Sequence, residues 1–394
     1  MPSSIRKALN DLPITLDDTY ERMLQGIPKE KFEHASRLFQ CMVAAIRPLR
    51  VEELAELFAI EFGADNVPNL VAGWRPENPE EAVLSTCSTF ITIINDDDDN
   101  DDDEGSKVVQ FSHFSVKEFL TSERLQMSSV GDIRQYHIPL EPAHTILARA
   151  CVTVLLQVDK NVDEETFRAL PLASYAVRYW VKHARFGDVV SQIQGLLVYL
   201  FDPRMSYFRP RVLLRFLDMD DATNRPPIFS NEPDKVTPLY LAVFLDFSGL
   251  AKHLITTHAL DVNTVYDGFS LLHEASCNGQ VNSARVLLDT GAHVNAKGYN
   301  GWTPLHYASN YGHPKLVRLL LEQGANLNAR STKQDTPLYW ACDKGHLEVV
   351  QILLDHGADL NIRGDGSLTP YQVVTRGGHR GVAQLLLEHG AEGG

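Results

Sequence analysis

The chain has 394 residues, 44% of them hydrophobic and 22% charged, which is the length of two or three domains and the composition of an ordinary globular protein. Its formal net charge of −15 is uneven, because residues 235–394 hold 12 Lys+Arg against 14 Asp+Glu, and most of the negative charge lies before them. An acidic chain without a basic stripe argues against nucleic-acid binding, and the lack of an apolar run of about 18 residues argues against a membrane-spanning helix.

The first residues lack the apolar centre of a secretory signal, so we expect no such signal. The five cysteines are widely spaced, odd in number and form no C-x-x-C pair. This usage is typical of reduced thiols. We therefore expect a cytoplasmic protein, with the nucleus as the alternative, and neither a metal site nor a cofactor.

Helical spacing of apolar residues predicts three helices near the N-terminus. The first is capped by Thr15 or Asp17 and runs to about Ile27, the second covers 32–46, and the third covers 51–60 after a turn at 47–50.

A fourth short helix should precede two strands, 89–94 and 108–113. The acidic run between the strands, within 95–106, lacks the ordered alternation of a calcium loop, so we predict a solvated, disordered insertion. Three helices followed by a two-stranded hairpin outline a winged-helix domain, which we place at residues 1–125.

Further helices are predicted at 143–156, 172–184 and 189–200, and a fourth at about 211–218 precedes a proline-rich connector. Tyr175, Tyr179 and Trp180 recur at helical spacing, a pattern that usually marks a core. We assign residues 126–234 to a helical linker domain.

From residue 235 the sequence repeats every 33 residues. The Thr-Pro-Leu segment at Thr237 returns in related form at Ser270, Thr303, Thr336 and Thr369. A glycine follows nine residues later in each of the last four copies, and a Leu-rich run and a Gly-Ala pair complete the unit. The phase is kept over five copies.

These residues closely resemble the ankyrin repeat, which implies an α-solenoid of five repeats at 235–394. Thr or Ser should cap each first helix, Pro should start it, and the mid-repeat Gly should end it in a left-handed conformation. The resemblance implies that His273 and His306 bond neighbouring backbone. In the first repeat, Asp246 stands close to where the glycine is expected, and His258-Ala259 replaces Gly-Ala.

The phrases LPITLDDTYERML, RPLRVEELAELFAIEF and VQFSHFSVKEFL resemble the segment after the nucleotide-binding domain in fungal NACHT–ankyrin proteins, which are STAND-type signalling NTPases. The resemblance covers about residues 11–200. It implies a mainly α architecture: a winged-helix-like post-NACHT segment, a helical linker, then an ankyrin solenoid that reads a partner in a signalling or innate-immunity-like pathway.

The phosphate-binding loop of that family, G-x-x-x-x-G-K-[ST], is absent, and no Gly in the chain is followed directly by Lys. The architecture therefore carries over without the ATPase. Either the chain is a truncated gene product, or it is a paralogue that has lost the NTPase domain. A regulatory fragment that acts with a separate NTPase is compatible with both.

Large aromatic and polar residues at variable repeat positions are typical interface anchors on the concave side of a solenoid. We predict a protein partner there and leave the oligomeric state open. Packing of Trp302 and Trp340 between repeats is the competing interpretation. The candidate binding residues are Phe269, Trp302, Tyr307, Asn310, Tyr311, Trp340 and Lys344.

Two other functions remain to be weighed. An enzyme would need a nucleophile with its base, metal-ligand spacing or a nucleotide loop, and none is apparent; His113 and Ser115 precede a helix and are better explained by capping and packing. A winged-helix DNA-binding regulator would need a basic recognition helix, whereas residues 51–62 carry Glu52, Glu53, Glu56 and Glu61.

Overall fold

The computed structural model describes residues 15–62, 68–95, 106–157, 170–204, 236–266 and 268–391. The chain divides into two compact units, Met1–Leu200 and Phe201–Gly394, each mainly helical. Three predictions fall outside the described residues: the acidic insertion at 96–105, the helix at 211–218 and the connector that follows it. Residues up to 125 and the first predicted linker helices belong to the same compact unit.

The first unit begins with two helices, α1 (Leu16–Gln25) and α2 (Phe32–Ala44). Thr15 caps α1 by accepting the Asp18 N–H at 3.1 Å, and the Asp18 carboxylate accepts the Thr15 N–H at 3.0 Å. This reciprocal capping box satisfies two backbone donors that a helix start leaves free. The apolar face of α2 buries Leu38 and Phe39 in the core.

A three-stranded antiparallel sheet follows, in the order β1 (Leu49–Arg50), β5 (Lys107–Phe111), β4 (Ile91–Asn95). The predicted turn at 47–50 is therefore partly wrong. Leu49 lies opposite Val109 and is buried, so burial against the hairpin extends the chain into a strand. The expected hairpin between β4 and β5 is present.

Short elements connect β1 to β4. The third helix, α3, covers Val51–Glu56 and is shorter than the predicted 51–60, because a 3-10 turn at Leu57–Ala59 and strand β2 (Ile60–Glu61) take over. β2 pairs antiparallel with β3 (Asn69–Leu70), and α4 (Pro79–Cys87) precedes β4.

Helices complete the unit: α5 (Phe114–Leu120), α6 (Glu123–Gln126), α7 (Leu140–Gln157), α8 (Ala173–Ala184), α9 (Val189–Gln192) and α10 (Gln194–Leu200). The interpretation of the aromatic spacing in α8 as core is confirmed for Tyr175 and Trp180, which are fully buried, while Tyr179 is half-buried. The predicted helix at 189–200 is split into two. No helix among the described residues is long and apolar enough to cross a membrane.

The second unit contains five helix pairs within residues 236–391. The first helices of the pairs are α11 (Pro238–Phe244), α13 (Leu271–Asn278), α15 (Pro304–Asn310), α17 (Pro337–Lys344) and α19 (Pro370–Gly377). The second helices are α12 (Ser248–His258), α14 (Val281–Asp289), α16 (Pro314–Glu322), α18 (Leu347–Asp355) and α20 (Arg380–Glu388). A short antiparallel pair, β6 (Val265–Tyr266) with β7 (Phe269–Ser270), joins the first two repeats.

The predicted roles of the recurring residues are confirmed. Thr237, Ser270, Thr303, Thr336 and Thr369 each stand at the N-cap of a first helix. The mid-repeat glycines end those helices with positive φ, as at Gly312 (φ 74°). In the first repeat Asp246 takes the left-handed conformation instead (φ 59°), and its carboxylate accepts the Ser283 hydroxyl at 2.7 Å. That hydrogen bond links the first repeat, whose sequence differs from the pattern, to the second repeat.

Candidate functional site: the inner face of the repeats

Buried histidines fix the hairpins of the second unit to its first helices. The Nε2–H of His306 donates to the Asp335 carbonyl at 3.1 Å, while its Nδ1 accepts the Thr303 N–H at 3.1 Å. His273 bonds the Ala296 and Trp302 carbonyls in the same way. Burial lowers the pKa of both rings to about 4, so they stay neutral at pH 7 and act as structural bridges. The expectation for these two residues is confirmed.

A continuous row of four aromatic rings runs along this side, which we call the aromatic row: Phe269, Tyr307, Trp302 and Trp340. Ring centroids are 5.0 Å apart for Phe269 and Tyr307, 4.8 Å for Tyr307 and Trp302, and 4.7 Å for Trp302 and Trp340. These tilted contacts lie within the range in which aromatic pairs attract. The row therefore crosses three repeats without a break.

Exposure differs along the row. Phe269 and Tyr307 are each only 7% exposed, so they are not the solvent-facing anchors that the sequence predicts. They pack with Cys277 because each hairpin ring covers the first helix of the next repeat. Trp302 and Trp340 are only partly buried. The two tryptophans thus pack between repeats and also present ring surface.

The remaining predicted residues lie beside the row or apart from it. Lys344 is exposed, with its Nζ 5.7 Å from the Trp340 ring and 2.9 Å from the Asp343 carboxylate. Asn310 is half-buried, and its carbonyl accepts the His346 Nε2–H at 3.0 Å. Tyr311 is 40% exposed at the end of α15 and stacks near His313 at 6.5 Å. The structure therefore joins Lys344 to the row and leaves Asn310 and Tyr311 outside it.

Sequence reasoning missed the rule that builds the row. In the two pairs that join adjacent repeats, the ring just before the Thr-Pro-Leu position meets the ring three residues after the Pro of the next repeat: Phe269 meets Tyr307, and Trp302 meets Trp340. Each pair is separated by 38 residues, one repeat plus five. That spacing is visible in the sequence. Tyr299, a hairpin residue that is 55% exposed, was also missed; its ring lies 6.0 Å from Phe269.

The indole N–H of Trp340 is buried and has no hydrogen-bond acceptor among the described residues. Leaving such a donor unsatisfied costs about 1–3 kcal/mol. It stands at the end of the row that has the most partly exposed aromatic surface. A feature of this kind calls for an explanation in the function of the surface.

Other candidate sites are weaker. The predicted capping role of His113 is confirmed, because its Nδ1 accepts the Ser115 N–H at 3.3 Å at the start of α5. A cleft of about 190 Å³ in the first unit is lined mainly by apolar residues, among them Ile46 and Phe111, and also by Arg47 and Lys117. Arg47 there is already bonded to Glu53. Among the described residues no group of three or more His, Cys, Asp or Glu could hold a metal ion.

Comparison with known proteins agrees with the repeat geometry. The profile of the family "Ankyrin repeats (3 copies)" matches four overlapping stretches, 212–298, 239–331, 294–364 and 330–393. The chain is also 30% identical over 301 residues to "Azaphilone pigments biosynthesis cluster protein L" of Monascus ruber. That alignment covers 73% of this chain, more than the repeats alone, so the likeness reaches into the first unit. It spans 61% of the relative's length.

Sequence period, capped helix pairs, left-handed glycines and bridging histidines agree with the family match. Repeats of this family generally mediate contacts between proteins. The second unit of the chain is therefore built of ankyrin repeats.

Proposed function

We propose that the protein binds a protein partner through the inner face of its ankyrin repeats, with the exposed parts of Trp302 and Trp340 as the anchors. The observation that carries the proposal is the aromatic row, in which Trp302 and Trp340 lie 4.7 Å apart and present ring surface across two adjacent repeats. Tryptophan is among the residue types that dominate binding energy at interfaces, and an exposed lysine lies beside one of the two. Lys344 supplies that cation at 5.7 Å from Trp340.

The buried Trp340 N–H supports the same surface. A partner that brought a carbonyl or carboxylate oxygen to it would satisfy a donor that is otherwise unpaired among the described residues. Binding would then recover part of a cost of about 1–3 kcal/mol that the free protein carries.

The test is to isolate a partner by cross-linking the full chain through a photoreactive group at Tyr311, at the end of the helix that carries Tyr307, and to measure the partner's affinity. Replacing Trp302 and Trp340 together by Ala should weaken binding at least tenfold, because each is an anchor of the proposed contact. Replacing exposed Leu347 and Leu387 on the second helices by Ala is the matched control and should leave affinity unchanged. Equal affinity of the tryptophan variant would overturn the proposal.

We further propose that the first unit is a winged-helix-like domain followed by a helical linker, so that the chain is the regulatory part of a STAND-type signalling protein. In support, helices α1 and α2 precede β1, helices α3 and α4 lie between β1 and the β4–β5 hairpin, and all three strands form one antiparallel sheet. The phrases near Thr15, Arg47 and His113 that resemble NACHT–ankyrin proteins lie in this unit.

On this proposal the chain is non-catalytic and acts in the cytoplasm or nucleus, in signalling or alongside a separate NTPase. All five cysteines are unpaired by disulfides and buried, which suits a reducing compartment. The relative's name places that protein in a biosynthesis cluster, so control of a clustered pathway is a setting compatible with a regulatory role. ATP hydrolysis by the purified full chain would overturn the non-catalytic assignment.

DNA binding by the first unit is the second candidate, and the charges of α3 weigh against it. Glu53 and Glu56 are buried and paired with Arg47 and Arg75, at 2.6 Å in each case, and Glu52 is exposed. This helix therefore offers no cation to a phosphate, and its exposed Glu52 would repel one. Salt-sensitive binding of duplex DNA in a gel-shift assay would favour this candidate.

A further inference from the structure

The hairpins between the repeats carry a ladder of cations that the aromatic row does not explain. Lys297, Arg330 and Arg363 occupy the same position in three successive repeats, 33 residues apart, and all three are exposed. We call them the basic ladder. The corresponding position in the hairpin between the first two repeats is Thr264, so the ladder covers the same C-terminal part of the stack as the tryptophans.

The hairpins hold the ladder in register. The Thr332 N–H donates to the Asn300 carbonyl at 2.7 Å, and the Asp365 N–H donates to the Asp335 carboxylate at 2.7 Å, so each hairpin is bonded to the next. Arg330 and Arg363 each reach across their own hairpin to the residue four places on, Gln334 at 3.3 Å and Ser367 at 2.7 Å. The two arginine rungs therefore reach the same position of their hairpins.

The ladder is electrically uncompensated. Within the described ranges no carboxylate lies at ion-pair distance from any of its three members, whereas the neighbouring cations Lys333 and Lys344 are paired with Asp365 and Asp343. The exposed hairpin carboxylate Asp359 is used locally, accepting the Asn361 N–H at 2.8 Å. A protein with a net charge of −15 thus keeps three exposed cations without ion-pair partners on the hairpins of the repeats that carry the tryptophans.

We propose that the partner contributes an extended acidic segment with a carboxylate at about every third residue, together with a large apolar side chain that reaches the tryptophans. This inference rests on the proposed protein-binding function. Packed helices lie about 8–10 Å apart, which sets the rise between rungs. Three residues of extended chain span about 10 Å, so Asp/Glu-x-x-Asp/Glu-x-x-Asp/Glu matches the ladder.

A protein segment fits the ladder better than a nucleic acid does. Duplex DNA carries a negative charge about every 1.7 Å, so three cations spread over about 20 Å would neutralise few phosphates. Tyr299, two residues after Lys297 and 55% exposed, adds apolar surface of use to a peptide side chain.

The experiment is selection of 12-residue peptides from a random display library on the full chain, followed by affinity measurement by fluorescence anisotropy. The expected motif has acids at i, i+3 and i+6 and one large apolar residue. Changing Lys297, Arg330 and Arg363 together to Gln should weaken binding about tenfold and flatten its dependence on salt. Changing Arg285, Lys315 and Arg380 to Gln, three exposed cations on the second helices, is the matched control and should do neither.

Three results would overturn the proposal: selected peptides without the acidic spacing, equal affinity of the ladder and control variants, or tighter binding of a 20-base-pair duplex than of any peptide. These outcomes are separable from failure of the proposed function. If peptides or partners lose affinity with the tryptophan variant but not with the ladder variant, the binding face stands and the acidic partner is wrong. If neither variant changes affinity, both proposals fail.

Discussion

His144 and His183 share a hydrogen bond of 2.8 Å between their Nδ1 atoms in the core of the first unit, linking α7 to α8. The Tyr175 hydroxyl lies 2.9 Å from the Nε2 of His183 and accepts the Ile46 N–H at 3.1 Å. Each of the two side-chain contacts contains one hydrogen if the Tyr175 hydroxyl donates to the Nε2 of His183 and the Nδ1–H of His183 donates to the Nδ1 of His144. The pair therefore fixes one tautomer of a neutral ring.

This pair predicts acid sensitivity. Burial, with the nearby His144, lowers the pKa of His183 to about 3, and burial also lowers the pKa of His144. Below about pH 6.5 these histidines therefore bind protons more readily in the unfolded chain than in the folded one. Stability is full above about pH 6.5 and falls as pH falls toward 3, by up to about 1.4 kcal/mol per pH unit for His183. Urea unfolding of wild type and His183→Gln at pH 7.5 and 5.0 measures this. A wild-type loss no larger than that of His183→Gln would contradict it; His34→Gln, at an exposed histidine of the same unit, is the control.

Glu53 predicts a loss of stability on neutralisation. It is 1% exposed, binds the Arg47 guanidinium at 2.6 and 2.8 Å, and accepts the Arg50 N–H at 2.8 Å at the start of α3. Glu53→Gln keeps the size but loses the charged bonds, which should cost about 2–3 kcal/mol in the free energy of unfolding. Glu52→Gln, exposed on the same helix, should change it by less than about 0.5 kcal/mol. Equal effects of the two substitutions in urea titrations would refute the prediction.

Replacing Gly312 by Ala should lower stability through a steric clash whose cost can be separated from that of backbone strain. Its φ is 74°, and a Cβ there would lie 2.6 Å from the His346 ring, whose Nε2 bonds the Asn310 carbonyl. Gly324 in the same repeat has φ 83° and open space around it. Both Ala variants incur about 1–2 kcal/mol of left-handed strain. Gly312→Ala should lose at least about 1 kcal/mol more, because it also displaces the histidine; matching melting temperatures would show that the ring moves freely.

Trp302 and Trp340 predict a measurable coupling. Their centroids lie 4.7 Å apart, in the range where aromatic pairs contribute about 0.5–1.5 kcal/mol beyond burial. Ala at each position and at both completes a double-mutant cycle in unfolding free energy. The same cycle on Trp302 and Tyr371, which share no ring contact among those described, should give a coupling near zero. Additive effects for the tryptophan pair would show that the contact between the two rings contributes nothing to the free energy of unfolding.

Local features were predictable from the sequence. Thr15, Thr303 and Gly312 act on their own helix, so residue type and spacing suffice to place them. The short strand at Leu49 was missed, because it pairs with Val108 and Val109, far along the chain. The burial of Tyr307 was missed for the same reason, since a ring from the preceding hairpin covers it. What could not be foreseen depends on contacts between distant segments.

The aromatic row has a consequence for how such a chain can change by recombination. Caps, glycines and histidines recur in nearly every repeat, so a repeat can be lost or duplicated with little harm to the stack. The Phe269–Tyr307 and Trp302–Trp340 pairs each join two repeats. Removing residues 303–335 would bring Trp340 into the position of Tyr307 and place Val373 where Trp302 now meets an aromatic ring. The repeats would still stack, but the aromatic row would have a different composition. The order of the repeats therefore determines which partner the row can bind.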